Sequence, residues 1–178
     1  MILPPWAPEA TEPEICELLA ALVSVRQPRV IVEAGTYRGH SALLMADACR
    51  RIGAGHVTTF DPVDHGIGLY IRENNLEDWL TYVAEPFTLP ANDRVGFAFI
   101  DASARDPDGM MNAALRWQHF EATMKRMEPG GLICAHDTLY PSEPWYDHEG
   151  GASMHRIRAA SNLNLDCMRG LSIYQAPK

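Results

Sequence analysis

The stretch Arg29-Val30-Ile31-Val32-Glu33-Ala34-Gly35-Thr36-Tyr37-Arg38-Gly39-His40-Ser41 decides how the rest of the chain is read. Residues 29–34 are a short β-branched run closed by a carboxylate, the pattern of a strand buried on both faces of a parallel sheet. Residues 35–41 are turn-like and lead into the helix formers Ala42 to Arg51, which Gly53-Ala54-Gly55 stops. Strand, glycine-bearing turn and helix are the opening half of a βαβ unit.

Working outward, the same pattern recurs. Upstream, Ile15, Leu18, Leu19 and Leu22 fall at i, i+3, i+4, i+7 and predict an amphipathic helix, with Thr11 and Glu14 as its capping box and Pro28 beyond its end. Downstream, further strands are expected at 56–61, 80–85, 95–101 and 132–137, with a loop and short helix over 63–78. Ala113, Trp117, Phe120, Met124 and Met127 predict one helix face, ended by Pro129-Gly130-Gly131. A last helix at about 152–161 precedes two short strands, 163–167 and 171–175, around Met168-Arg169-Gly170. Strands alternating with helices specify an α/β chain with a doubly wound sheet and right-handed crossovers. The expected division is an N-terminal helical appendage, 1–27, serving as a lid or a dimer contact, and one domain over 28–178.

Composition narrows the function. The 178 residues carry a net charge of -8, so the basic footprint of nucleic-acid binding and the polybasic segment that draws a protein to anionic lipid are both missing. No apolar run approaches the length of a membrane span, and residues 1–6 do not have the pattern of a signal peptide. Cys16, Cys49, Cys134 and Cys167 form no C-x-x-C pair and each sits in an apolar run, which reads as buried thiols. A cytoplasmic protein acting on a small molecule is the expectation.

Five predicted strands finish in Glu33, Asp61, Glu85, Asp101 and Asp137. Ligands of doubly wound sheets bind beyond the carboxyl ends of the strands, so these acids are expected to face one cleft. Gly35 and Gly39 would let the backbone approach a ligand at a helix N-terminus, where free N–H groups favour an anion. The fingerprint G-x-G-x-x-G is not met, because Ala34 and Tyr37 stand where glycines are needed, which argues against NAD or FAD; G-K-[ST] is missing too. A nucleoside cofactor without a pyrophosphate fits, with its carboxylate on the helix N-terminus, Asp61 on both ribose hydroxyls and Glu33 facing an ammonium group.

Glu33 to Ser41, Phe60-Asp61, Phe99-Ile100-Asp101-Ala102 and Pro129 to Thr138 resemble the class I S-adenosylmethionine-dependent methyltransferases. The likeness is greatest to small-molecule O-methyltransferases of the catechol and caffeoyl-CoA type and to the macrocin O-methyltransferase and cephalosporin-hydroxylase-like branch. It covers about residues 28–176. The resemblance implies a Rossmann-like seven-stranded sheet, mostly parallel with an antiparallel last strand. It implies S-adenosylmethionine as cofactor, with Glu33, Gly35, Thr36, Tyr37, Gly39 and Ser41 around the methionine part, Asp61 on the ribose, and Ala84 and Glu85 near the adenine. Asp101 would bind on the cofactor side.

The resemblance leaves a divalent cation, Mg²⁺ or another, open. Asp101 and Asp137 match the two metal aspartates, while Thr138 replaces the third ligand. The lysine that serves those relatives as base is Ala104 here, with Arg105, too basic to substitute, beside it. His136 is the expected base, with Asp101, His136 and Asp137 as the catalytic group and His65, His148 and His155 as alternatives. Segments 62–78 and 139–151, the latter holding Tyr140 to Tyr146, are expected to choose a small hydroxylated acceptor. The competing readings are a cofactor-binding module that has lost its base and, less favoured by Tyr37, an NAD enzyme. A homodimer through the apolar N-terminal helix is a further expectation.

Overall fold

The structure, a computed structural model, describes residues 1–91, 93–105, 111–112, 114–139, 148–167 and 169–178. Seven strands make one sheet: β1 (Val30–Ala34), β2 (His56–Phe60), β3 (Leu80–Val83), β4 (Val95–Ile100), β5 (Met127–His136), β6 (Leu163–Leu165) and β7 (Leu171–Gln175). Their order is 3-2-1-4-5-7-6. Pairings from β3 to β5 are parallel, and β7 runs antiparallel to both its neighbours, β5 and β6. This is the doubly wound, seven-stranded arrangement expected, and its order reverses between β1 and β4, where the crevice for a ligand opens.

Side-chain alternation sorts the core into two layers. Ile31, Val57, Phe97 and Phe99 point to one face, against α1 (Pro13–Arg26), α2 (His40–Ile52) and α3 (Ile67–Glu73). Val32, Ala34, Ala98, Ile100 and Ile133 point to the other, against Phe120 of α4 (Ala114–Met124) and Met154 and Ile157 of α5 (His148–Ala160). The same period sends Glu33 to the α1–α2 side and fully buries it.

Several boundaries differ from expectation, two of them because a distant partner outcompetes a local signal. Thr11 does not cap α1: Glu12 is the N-cap without a side-chain hydrogen bond to the helix, and Pro13 opens it. The Thr11 hydroxyl instead donates to Asp101 Oδ2 at 2.7 Å. Helix α4 stops at Met124, and Met127, Pro129 and Gly130 belong to β5, because Val95 N–H bonds to Arg126 O at 3.0 Å and Gly130 N–H to Ala176 O at 3.1 Å. Strand β3 ends at Val83, leaving Ala84 and Glu85 in an exposed bend. Cys16, Cys49 and Cys134 are buried and Cys167 half-buried, all as free thiols. Among the described residues no helix is long and apolar enough to cross a membrane.

Candidate active site

Past the carboxyl ends of β1, β2, β4 and β5 lies a cavity of about 1110 Å³. Pockets for drug-sized ligands run from roughly 300 to 1,000 Å³, so this one has room for more than one small molecule.

The turn after β1 forms one end. Gly35 has φ 94°, and a Cβ there would stand 2.8 Å from the backbone of Asp101 and Ala102. Gly39, at φ 86°, would drive a Cβ to 2.2 Å from Ile67. The two glycines therefore bring the turn onto the end of β4 and leave the α2 N-terminus, which has no side-chain cap, facing the cavity. Asp61 is fixed by two backbone donors, Tyr37 N–H to Oδ2 at 2.8 Å and Val63 N–H to Oδ1 at 2.9 Å. Its remaining lone pairs are available to the cavity it lines, where ribose hydroxyls could donate. Thr36, Tyr37, Gly39 and Ser41 line the same end.

Two of the five strand-end acids behave differently. Glu33 is enclosed beneath α2, where Ser41 Oγ donates to Oε1 and Thr59 Oγ1 to Oε2 at 2.5 Å. Burial pushes its carboxyl up to about 8, against the lowering hydrogen bonds and with help from the Asp101 and Asp61 charges. It braces the turn from below, and no ammonium group in the cavity would reach it directly. Glu85 is exposed, and Pro86 and Phe87 line the cavity in its neighbourhood. Phe87 lies against Phe60 and His119, with ring centroids 5.5 and 4.8 Å apart. Burial, seconded by the Arg116 charge, lowers His119 to about 4, so its ring is neutral near pH 7. Among the described residues its Nδ1 has no hydrogen-bond partner. An aromatic wall with a neutral imidazole suits a heterocyclic base.

The opposite end is a cluster of six charged side chains. Asp101 accepts from Thr11 and from His136 Nδ1, the latter at 3.2 Å, and meets Arg116 Nη2 at 3.2 Å. Asp137 lies 3.2 Å from Arg116 Nη1, 3.4 Å from His136 Nδ1 and 3.3 Å from Arg169 Nε. Glu12 takes His136 Nε2 at 2.6 Å and Arg169 Nε at 2.8 Å. Three carboxylates thus face two guanidiniums and one imidazole. Burial would lower His136, but Asp101, Glu12 and Asp137 outweigh it and hold the ring well above its usual 6.5. Burial would raise Glu12 and Asp101; hydrogen bonds from His136 and Arg169, with the His136 charge, bring Glu12 to about 2, and the charges of His136 and Arg116 keep Asp101 well below the carboxylate range.

This corrects the expectation for His136. The ring is 0% exposed, both nitrogens point at carboxylates, and it does not line the cavity. A protonated imidazole enclosed by acids has no lone pair for a substrate proton. Asp137 does line the cavity, has Oδ1 without a conventional hydrogen bond, and sits at φ 56°, a left-handed backbone uncommon outside glycine. Of the other histidines, His65 lines the cavity beside Tyr37 and His155 is exposed on α5. Tyr140 to Tyr146 lie outside the described residues.

A divalent cation does not fit this end as it stands. Asp101, His136 and Asp137 are close enough to one another for ligation. Yet Arg116, 1% exposed, already spans both aspartates, and a metal there would stand against a guanidinium and an imidazolium.

Sequence reasoning missed Thr11, Glu12, Arg116 and Arg169. Arg116 had one available signal: it precedes Phe120 and Thr123 by four and seven residues, which puts a charge on the buried face of α4. The N-terminal segment also reaches the cavity, through Pro8, Glu9, Ala10 and Thr11.

A doubly wound sheet of this order, with a glycine turn after β1 and acids after β2, β4 and β5, defines the class I methyltransferase-like architecture. The methyltransferase domain family model matches residues 32–138, and the chain belongs to that family. Solved structures agree on the fold. It is similar to TomG, an O-methyltransferase of Streptomyces achromogenes involved in tomaymycin synthesis and solved with SAM (16% identity, TM-score 0.72, 95% of this chain and 82% of that one). It is similar to an O-methyltransferase of Bacillus cereus in complex with SAH (19%, 0.70, 96% and 84%). The SAH-bound methyltransferase PaMTH1 of Podospora anserina is a third (17%, 0.69, 96% and 80%). Comparison with the curated proteins finds no match.

Proposed function

We propose that the chain transfers a methyl group from S-adenosylmethionine to an oxygen of a small hydroxylated molecule. The observation that carries this reading is the juxtaposition of two ends in one cavity. The Gly35–Ser41 turn and backbone-anchored Asp61 stand at one, and Asp101 and Asp137 at the other. The cofactor supplies an electrophilic methyl on a sulfonium. The α2 N-terminus suits its carboxylate, Asp61 its ribose hydroxyls, and Phe60, Phe87 and His119 its adenine.

The displacement needs alignment and loss of the acceptor's proton more than it needs rescue of a charged intermediate. Asp137 is the group placed to accept that proton, with Arg116 and Arg169 holding its carboxylate in position. Asp101, which accepts from Thr11 and His136, holds that end in shape beside it. A cytoplasmic location and a small-molecule acceptor accord with the acidic composition.

Calorimetry with S-adenosylhomocysteine, followed by mass spectrometry of a hydroxylated acceptor panel with S-adenosylmethionine, tests the reading. One binding event per chain and a mass gain of one methyl on an acceptor oxygen are expected. Lack of binding overturns it, and methylation at nitrogen or carbon alone corrects the acceptor atom.

A further inference from the structure

We propose that side-chain cations, Arg116 foremost, occupy the place of a divalent metal in this chain's acceptor site, so that Asp101 and Asp137 neither bind nor require one. The inference rests on the methyltransferase reading in that it concerns the acceptor end of the same cavity.

Three observations carry it. First, the Arg116 guanidinium bridges the two aspartates at 3.2 Å each while all three of its nitrogens donate to carbonyls at the strand ends. Nη1 bonds to His136 O at 2.7 Å, Nη2 to Asp101 O at 3.3 Å and Nε to Ala102 O at 3.2 Å. Swinging it aside for a metal would strip a fully buried guanidinium of these partners. Second, among the described residues of this cluster three carboxylates, Glu12, Asp101 and Asp137, face three cations, Arg116, His136 and Arg169. Third, Thr138, which stands at the third-ligand position, is 0% exposed, and its hydroxyl accepts from Ser172 Oγ at 2.9 Å. That hydroxyl is engaged with β7 and does not join the carboxylates. Mg²⁺ demands near-ideal octahedral oxygen geometry, which two carboxylates spread on a planar guanidinium do not offer.

Arg116 is therefore a positioning residue: it fixes the two carboxylates where a metal otherwise would. Its removal should free the two carboxylates of their guanidinium bridge and let them take up Mn²⁺. The test is titration of the full chain with Mn²⁺ followed by the electron paramagnetic resonance signal of the free ion, with and without S-adenosylhomocysteine. The wild-type chain is expected to leave the signal unchanged, and turnover to be equal in EDTA and in Mg²⁺. Arg116→Met should remove free Mn²⁺ signal, with affinity at least about tenfold above wild type, and Arg116→Lys should not. A purely structural arginine would lower stability in both variants without this difference. Stoichiometric Mn²⁺ uptake by the wild-type chain that Asp101→Asn abolishes overturns the proposal. So does a folded Arg116→Met that leaves Mn²⁺ free. If Arg116→Met does not fold, the wild-type titration still decides the exclusion of metal. A chain that fails to bind S-adenosylhomocysteine sinks the functional reading but leaves the Mn²⁺ result readable.

Discussion

The two ends of the cavity are built by opposite means. The turn end is made of neighbours: Gly35 to Ser41 are contiguous, and Asp61 reaches them from the adjacent strand through Tyr37 N–H. Its polar groups are mostly backbone, fixed by glycine geometry and by one helix N-terminus. The acid end is made of strangers. Glu12, Asp101, Arg116, His136, Asp137 and Arg169 come from the segment before α1, three strand ends or loops and one helix. Backbone donors need no neutralising partner, whereas each buried side-chain charge needs another, so the acid end grows into a network. The difference teaches where each kind of damage should spread: along the turn at one end, across the whole fold at the other.

Gly35→Ala should break the turn end most severely. The new Cβ meets backbone at 2.8 Å at a positive φ, and both effects together cost about 3 kcal/mol. Thermal unfolding should fall accordingly, with cofactor binding lost while the Asp101–Arg116 pair persists. Glu12→Ala breaks the other end at its most distant contributor. It strands His136 and part of Arg169, and removing one partner of a buried ion pair costs about 3 kcal/mol. Denaturant titration reads this stability, and a loss below about 0.5 kcal/mol would mean the segment before α1 is not energetically joined to the site.

The third prediction separates the ends by pH. Glu33 has a raised carboxyl, so its contribution is complete below its unfolded value near 4.5 and is lost as pH rises through about 8. His136 is also raised and loses its contribution from about 6.5 upward. Glu12 is depressed, and its contribution disappears as pH falls from about 4.5 toward 2. The wild-type chain should therefore lose stability between pH 5 and 8, by at most about 1.4 kcal/mol per pH unit for one proton. Glu33→Gln should flatten that slope between about pH 5 and 6.5, leave the His136 part above it, and not touch the acid-side loss. An unchanged slope would place the titration elsewhere.

This contrast also explains how much was legible in the sequence. The β1–turn–α2 unit is local, its periodicities are strong, and the sheet and glycine turn follow from it. Asp61, Asp101 and Asp137 fall where strand ends put them. Glu33 and Glu85 do not, because period-two alternation turned one under α2 and an early end of β3 left the other outside. Thr11 looked like a helix cap because its partner, Asp101, lies 90 residues away. Arg116 was hidden within a helix pattern whose other buried members are Phe120 and Thr123. Long-range charge pairing leaves no local trace, so His136 looked like a free base when its neighbours enclose it.

The central claim, one cavity with a cofactor end and a separate acceptor end, is tested most directly by comparing Asp61→Ala and Asp137→Asn. Calorimetry with S-adenosylhomocysteine and a turnover assay supply the two readouts. Asp61→Ala is expected to weaken cofactor binding by about 100-fold or more, as loss of two charge-assisted ribose hydrogen bonds requires. Asp137→Asn should keep wild-type cofactor affinity and lose most turnover. Undiminished cofactor affinity in Asp61→Ala, or equal loss of affinity in both variants, would contradict the division of the cavity.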